Sequence, residues 1–322
     1  MARVSNTISQ KLKNANVLFT ILIVWLHVLA NYDLPEFVSG CAIFSVPCFF
    51  AISSYLYFKS YDFENPWHDY KKKVIGRIRS LLVPFLIFNM VGFICSVVFF
   101  VFHPVAYNPV RALMEENCFE YVFMSKANGP LWYFVSLFCF IVVAPLLGFV
   151  IKVSKWSIVL VLPIYWLCKD VGYFYFPYWL VDIFIGAYIA IHALDVTERK
   201  VRKPIMGGLI IASIVALVLG ALGIIDAYTT RALSPILFIV LYSKSDILPS
   251  KMVSLIAPYS ILIYCLHLPI SRIAIRIPMI LHIPYPLLSL AISTIATIII
   301  IIAIGKLIKK YPNVWNLVTG GR

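Results

Sequence analysis

Residues Tyr285–Gly305 read YPLLSLAISTIATIIIIIAIG, twenty-one positions without one charged side chain. About 20 apolar residues, at a rise of about 1.5 Å each, are what a helix needs to cross the hydrocarbon layer of a bilayer. In lipid the backbone must satisfy its own hydrogen bonds, and a helix does so within one segment. Similar runs occur at Asn16–Ala30, Val38–Phe58, Leu81–Phe102, Leu131–Ile151, Trp156–Cys168, Tyr173–His192, Ile205–Ile225, Ala232–Ser243 and Ser254–Ser271. Trp156–Cys168 and Ala232–Ser243 are the shortest, each either a half-span or a span with displaced ends. The reading is all-α: a polytopic integral membrane helical bundle of about ten transmembrane helices, forming one domain over residues 1–322.

Composition agrees. Of 322 residues, 62% are hydrophobic and 13% charged, whereas soluble chains are about a quarter charged. The net charge of +13 would suggest nucleic acid in a soluble protein. Here the basic residues fall between apolar runs, so topology explains them and no nucleic-acid partner is expected. With both termini in the cytoplasm, 21 of the 27 Lys and Arg lie on the inside, as the positive-inside rule requires. Removing one span would invert every later loop. Arg3, Lys11 and Lys13 before Val17–Ala30 imitate a signal peptide, but Trp25 and His27 interrupt the apolar core, so a retained first span is expected.

The seven cysteines make neither a disulfide framework nor a paired metal pattern, and no metal is expected. There is no Walker loop, GxGxxG or HExxH. No loop is long enough for a separate soluble domain. The longest external loop, His103–Pro130, is acidic through Glu115, Glu116 and Glu120.

Function must therefore sit mainly on polar side chains inside the spans, which are costly there and so are candidates by default. His27 lies eleven residues beyond Asn16, about 16 Å along a helix. A neutral imidazole there either takes a proton from a hydroxyl or only bonds a neighbouring helix. Lys71, Lys72, Lys73, Arg77 and Arg79 run straight into Leu81–Phe102. They read as a loop that either holds topology and attracts anionic lipid or docks a phosphate-rich cytoplasmic ligand. Arg77 and Arg79 are two apart, so both reach one ligand only at a loop–helix junction. Asp182, flanked by Leu180, Val181, Ile183 and Phe184, must be paired, protonated or wet. It either orients His27 or pairs with a structural cation. Tyr264 and His267 share a helix face, which suits packing as well as a site. Trp132 and Tyr133 sit at a span end, as an aromatic belt or as a wall for sugar.

Five segments in order resemble the membrane-bound acyltransferase-3 family, whose bacterial members O-acetylate envelope and secreted glycans. His27 is similar to the family histidine of the first span. Ser45-Val46-Pro47-Cys48-Phe49-Phe50-Ala51-Ile52-Ser53-Ser54-Tyr55-Leu56 resembles its V-P-x-F-F-x-x-S-G-Y-L. Arg77-Ile78-Arg79 with Leu82-Val83-Pro84 resembles its R-x-R and L-x-P. Leu131-Trp132-Tyr133-Phe134 resembles its L-W-F/Y-L, and Ser260–His267 its S-x-x-I-Y-x-x-H. Asn16 stands where the family usually has Arg or Lys, with Lys13 one turn earlier. Ser54 stands where it has Gly, which implies slightly looser helix contact.

The resemblance implies transfer of an acyl group, expected to be acetyl, from cytoplasmic acetyl-CoA as co-substrate to a hydroxyl of a glycan or lipid-linked sugar. It implies His27 and Asp182 as catalytic residues and Arg77, Arg79, Lys13 and Lys73 as CoA-binding residues. Trp132, Tyr133, Tyr264 and His267 are expected to bind substrate. The expected location is the bacterial cytoplasmic membrane, with the lipid bilayer as a partner. The other readings are a transporter or flippase of a lipid-linked glycan, or an inactive scaffold of the same fold.

Overall fold

The computed structural model describes residues 6–34, 44–102, 109–115, 121–122, 125–172, 174–192, 203–222, 224–226, 229–230 and 248–321. The expected span Ala232–Ser243, residues 38–43 of the second span, the basic residues Arg199, Lys200 and Arg202, and Glu116, Glu120, Cys41 and Cys118 lie outside them.

The described residues are helical, with no strand among them. In chain order the α-helices are α1 (Asn6–Leu29), α2 (Ser45–Lys59), α3 (Pro66–Arg77), α4 (Val83–Phe102), α5 (Pro109–Glu115), α6 (Trp132–Val153), α7 (Val161–Cys168), α8 (Leu180–Ile191), α9 (Lys203–Ala221), α10 (Ser250–Ile256), α11 (Ser260–Ala274), α12 (Arg276–Ile280), α13 (Pro286–Ile308) and α14 (Pro312–Thr319). Among the described residues five helical stretches are long and apolar enough to cross a membrane: Gln10–Leu29, Pro66–Phe102, Gly129–Val153, Ser250–Ile280 and Pro286–Ile308. Lys155–Cys168 and Phe176–Ile191 are shorter apolar helices.

The basic segment before Leu81 is not a loop. It is helix α3, which passes through a π-helical turn, Ile78–Leu82, directly into α4. Lys and Arg are good helix formers, and Asp62 prepares the start by accepting from the backbone N–H of Glu64 at 2.9 Å and of Asn65 at 3.3 Å. Those two donors hold the Asp62 carboxyl below its ordinary pKa, the Glu64 bond most of all.

Polar residues inside the long helices are satisfied locally. In α13 the hydroxyls of Thr294 and Thr297 donate to the carbonyls of Leu290 and Ser293, at 2.9 and 2.7 Å. Such bonds to the preceding turn make threonine tolerable in lipid.

The residues divide into two compact units. The first comprises Met1–Leu26, Leu34–Lys71 and Cys139–Ala257. Its core joins α2 to α8 and the 3-10 turn Phe176–Trp179 before it: Phe50 stacks on Trp179 at 5.0 Å between centroids, and Gly186 of α8 lies against the Ala51 carbonyl and the Ser54 hydroxyl so closely that a Cβ there would overlap both. The looser contact expected from Ser54 is therefore not what this helix pair shows, because the facing helix supplies the glycine. Asn14 ties α1 to Leu248 by bonds in both directions, 3.0 and 3.2 Å.

The second unit comprises His27–Asp33, Lys72–Phe138 and Pro258–Arg322. Here α11 packs on α13, with Gly305 so close to Tyr259 that an added Cβ would stand 2.5 Å from its Cδ1. The Tyr32 hydroxyl meets that of Ser293 at 2.8 Å. Gly320 caps α14 at a φ of 66°. An added Cβ there would lie 2.5 Å from Ser80 Cα, inside the π-helical turn.

Candidate functional site

The site is built from segments of the second unit distant in sequence. His27 ends α1, half-buried. Its ring faces that of His267 on α11, with centroids 4.8 Å apart and planes tilted by 46°. His267 is fully buried. Its Nδ1 lies 2.7 Å from the Tyr264 carbonyl and 3.1 Å from that of Ile263. Carbonyl oxygens only accept, so Nδ1 carries the proton and in the neutral ring Nε2 keeps a lone pair. That Nε2 has no hydrogen-bond partner among the described residues. A buried acceptor left this way costs free energy unless a ligand or a neighbouring N–H fills it. The nearest ring is that of His27.

Tyr264 extends the cluster. Its ring stands 6.0 Å from that of His267 and 5.6 Å, edge-on, from that of Tyr133, and its hydroxyl donates to the Pro130 carbonyl. Trp132 is buried at the start of α6, its ring 6.4 Å from that of Tyr133. His27, His267, Tyr264, Tyr133 and Trp132 thus form one run of rings, four of them from the expected substrate-binding set.

The loop before α6 is fixed to α11 by a residue that sequence reasoning missed. Pro269 lies inside α11 and has no N–H, so the carbonyl four residues earlier, on Cys265, loses its helical donor. Asn128 Nδ2 fills it at 2.9 Å and also reaches the Phe88 carbonyl at 3.3 Å. Gly92 of α4 allows the approach: a Cβ there would lie 2.7 Å from Asn128 Cβ. The proline inside the helix signalled an orphan carbonyl, but not which donor would find it.

The remaining candidates lie elsewhere. Arg77 ends α3, half-buried, and Arg79 is exposed within the π-helical turn; both belong to the second unit. Their junction is helix to π turn rather than the expected loop to helix. Lys73 is half-buried on α3 of the second unit, and Lys13 is exposed on α1 of the first. Asp182 is buried on α8 of the first unit. No group of three or more His, Cys, Asp or Glu stands together among the described residues.

A family model described as an acyltransferase domain matches residues 12–306 of the 322. The chain belongs to the acyltransferase-3 family. Membership makes it a membrane acyltransferase, and the five long apolar helices make it multi-pass. No curated protein and no solved structure matches it. The matched stretch contains every segment of the histidine cluster, from His27 to His267.

Proposed function

We propose that this acyltransferase moves an acetyl group from cytoplasmic acetyl-CoA to a hydroxyl of an envelope or secreted glycan, in the cytoplasmic membrane of a bacterium. The observation that carries the reading is the His27–His267 pair: two imidazoles in ring contact, one held in a single tautomer with its lone-pair nitrogen unfilled. Nε2 of His267, unpartnered among the described residues, is the proposed acceptor for the N–H of His27 during turnover, which leaves the second nitrogen of His27 basic. His27 then removes the proton of the sugar hydroxyl as its oxygen bonds to the thioester carbonyl carbon. When the carbon–sulfur bond breaks, the imidazolium of His27 returns the proton to the departing thiolate. His267 acts as the positioning residue for His27.

Tyr264, Tyr133 and Trp132 supply ring faces that suit a sugar, and Tyr264 is held by its bond to Pro130. Arg77 and Arg79, with Lys73 as a further cation of the same unit, suit the phosphates of CoA, which guanidinium groups grip in pairs of hydrogen bonds. A general base contributes about 10²–10⁴-fold to rate; the rest falls to alignment of two substrates away from water. Asp182, buried on α8 of the first unit, is proposed as the second catalytic residue. The full topology proposed is ten spans with both termini in the cytoplasm.

The test is purified full-length protein in nanodiscs with radiolabelled acetyl-CoA and a panel of glycans. Label appearing in glycan supports the reading. Transport of a lipid-linked glycan without CoA consumption would replace it.

A further inference from the structure

A cavity of about 1100 Å³ lies wholly within the second unit. Its wall carries three cations, Lys126, Arg272 and Arg276, with His282 beside them, and no carboxylate among its described lining residues. Arg272 ends α11 and Arg276 opens α12 one turn later. All three cations are exposed, and like charges at this spacing repel. Arg272 is steadied from below: its guanidinium carbon lies 5.8 Å from the centroid of the Phe99 ring, which leaves its N–H edge for other partners.

The cavity adjoins the histidine pair. Asn31 lines it and donates through Nδ2 to the carbonyls of His27 at 3.3 Å and Val28 at 3.1 Å. Leu268, which follows His267, lines it as well. The cavity wall thus carries close chain neighbours of both imidazoles, Asn31 and Leu268, although neither imidazole lines it.

We propose that this cavity is the acceptor site and that it selects an acidic glycan, one carrying a carboxylate or phosphate near the hydroxyl to be acylated. The inference rests on the acyltransferase reading for the role of the hydroxyl, but not for the charge of the ligand. Oxyanions of this kind match the arginine fork in geometry and sign, and a neutral sugar offers Arg272 and Arg276 no counter-charge. A phospholipid headgroup offers the same oxyanion, so the source has to be separated by experiment.

Binding is measured on full-length protein in phosphatidylcholine nanodiscs, using a glucuronate hexasaccharide, its phosphorylated counterpart and its carboxyl-reduced neutral form. Wild type should bind a charged form at least roughly ten-fold more tightly than the neutral one, with the difference shrinking as salt rises. The Arg272→Ala/Arg276→Ala protein should lose the discrimination and keep its affinity for acetyl-CoA. Arg272→Lys/Arg276→Lys, which keeps charge and bulk, should retain part of it. Equal binding of charged and neutral sugars by wild type overturns the proposal, as does discrimination that survives in the double alanine protein. Phosphatidylglycerol retained by wild type and released by that variant, without charge-selective sugar binding, assigns the cavity to a lipid headgroup instead. Charge-selective sugar binding without acyl transfer would remove the enzymatic reading and leave the acidic ligand standing.

Discussion

The imidazoles of His27 and His267 meet with ring centroids 4.8 Å apart, and the Nδ1 proton of His267 is committed to the carbonyls of Ile263 and Tyr264. Gln at position 27 keeps polarity and approximate volume but has no basic nitrogen. His27→Gln should therefore insert and fold normally and lose about 10²–10⁴-fold in turnover, with acetyl-CoA affinity unchanged. In the wild type, turnover should fall in acid, because a protonated imidazole has no lone pair to offer. Initial rates and CoA binding on the purified variant check this; wild-type turnover would remove His27 from the chemistry.

If His267 works through His27, the two substitutions should not add. His267→Gln should lower turnover, and the double variant should be no slower than His27→Gln alone. Multiplicative losses across the four proteins would mean that the histidines act separately.

Arg77→Ala and Arg79→Ala should each weaken acetyl-CoA binding by roughly ten- to a hundred-fold, the scale of one charge-assisted bond to phosphate. Membrane insertion should not change, since other basic residues keep the topology. Isothermal titration of the two variants decides; undiminished affinity in both would leave these arginines to topology or lipid.

Asn128→Ala should destabilise the second unit by about 1–3 kcal/mol, because the buried Cys265 carbonyl then loses the Asn128 donor. Pro269→Ala restores a backbone N–H four residues on. In thermal unfolding in detergent, adding Pro269→Ala to Asn128→Ala should recover part of the loss. No recovery would mean that Asn128 acts elsewhere.

Gly186→Ala should cost about 1–3 kcal/mol through overpacking against Ala51 and Ser54. Ser54→Gly in the same chain should return some of it by clearing one of the two contacts. The comparison is again of unfolding midpoints, and a Gly186→Ala protein as stable as wild type would show that α2 and α8 can separate without cost.

What could be read from the sequence follows the physics of each signal. Long charge-free runs announce helices, and Tyr285–Gly305 matches Pro286–Ile308 to within a few residues. His27 and His267 stood out because ionisable groups inside apolar runs are costly, yet nothing in either segment said that the two rings would touch. The stretch around Lys71–Arg79 looked like a loop because it lacks an apolar face, and hydropathy is blind to the helix propensity of lysine and arginine. Ser54 was read against its own helix alone; the compensating Gly186 lies 132 positions away on another. Asn128 carried no mark, because any donor could have served the carbonyl that Pro269 abandons.

The distance along the chain between His27 and His267 has a consequence in time. The 240 positions that separate them take about 12–48 s to make at about 5–20 residues per second. Throughout that interval a ribosome-bound chain carries an inserted His27 with no second imidazole to meet. The histidine pair therefore arises only as biosynthesis closes, when α11 enters the membrane, so a chain arrested or clipped before Ser260 can bear most of the family's motifs and still lack the pair altogether.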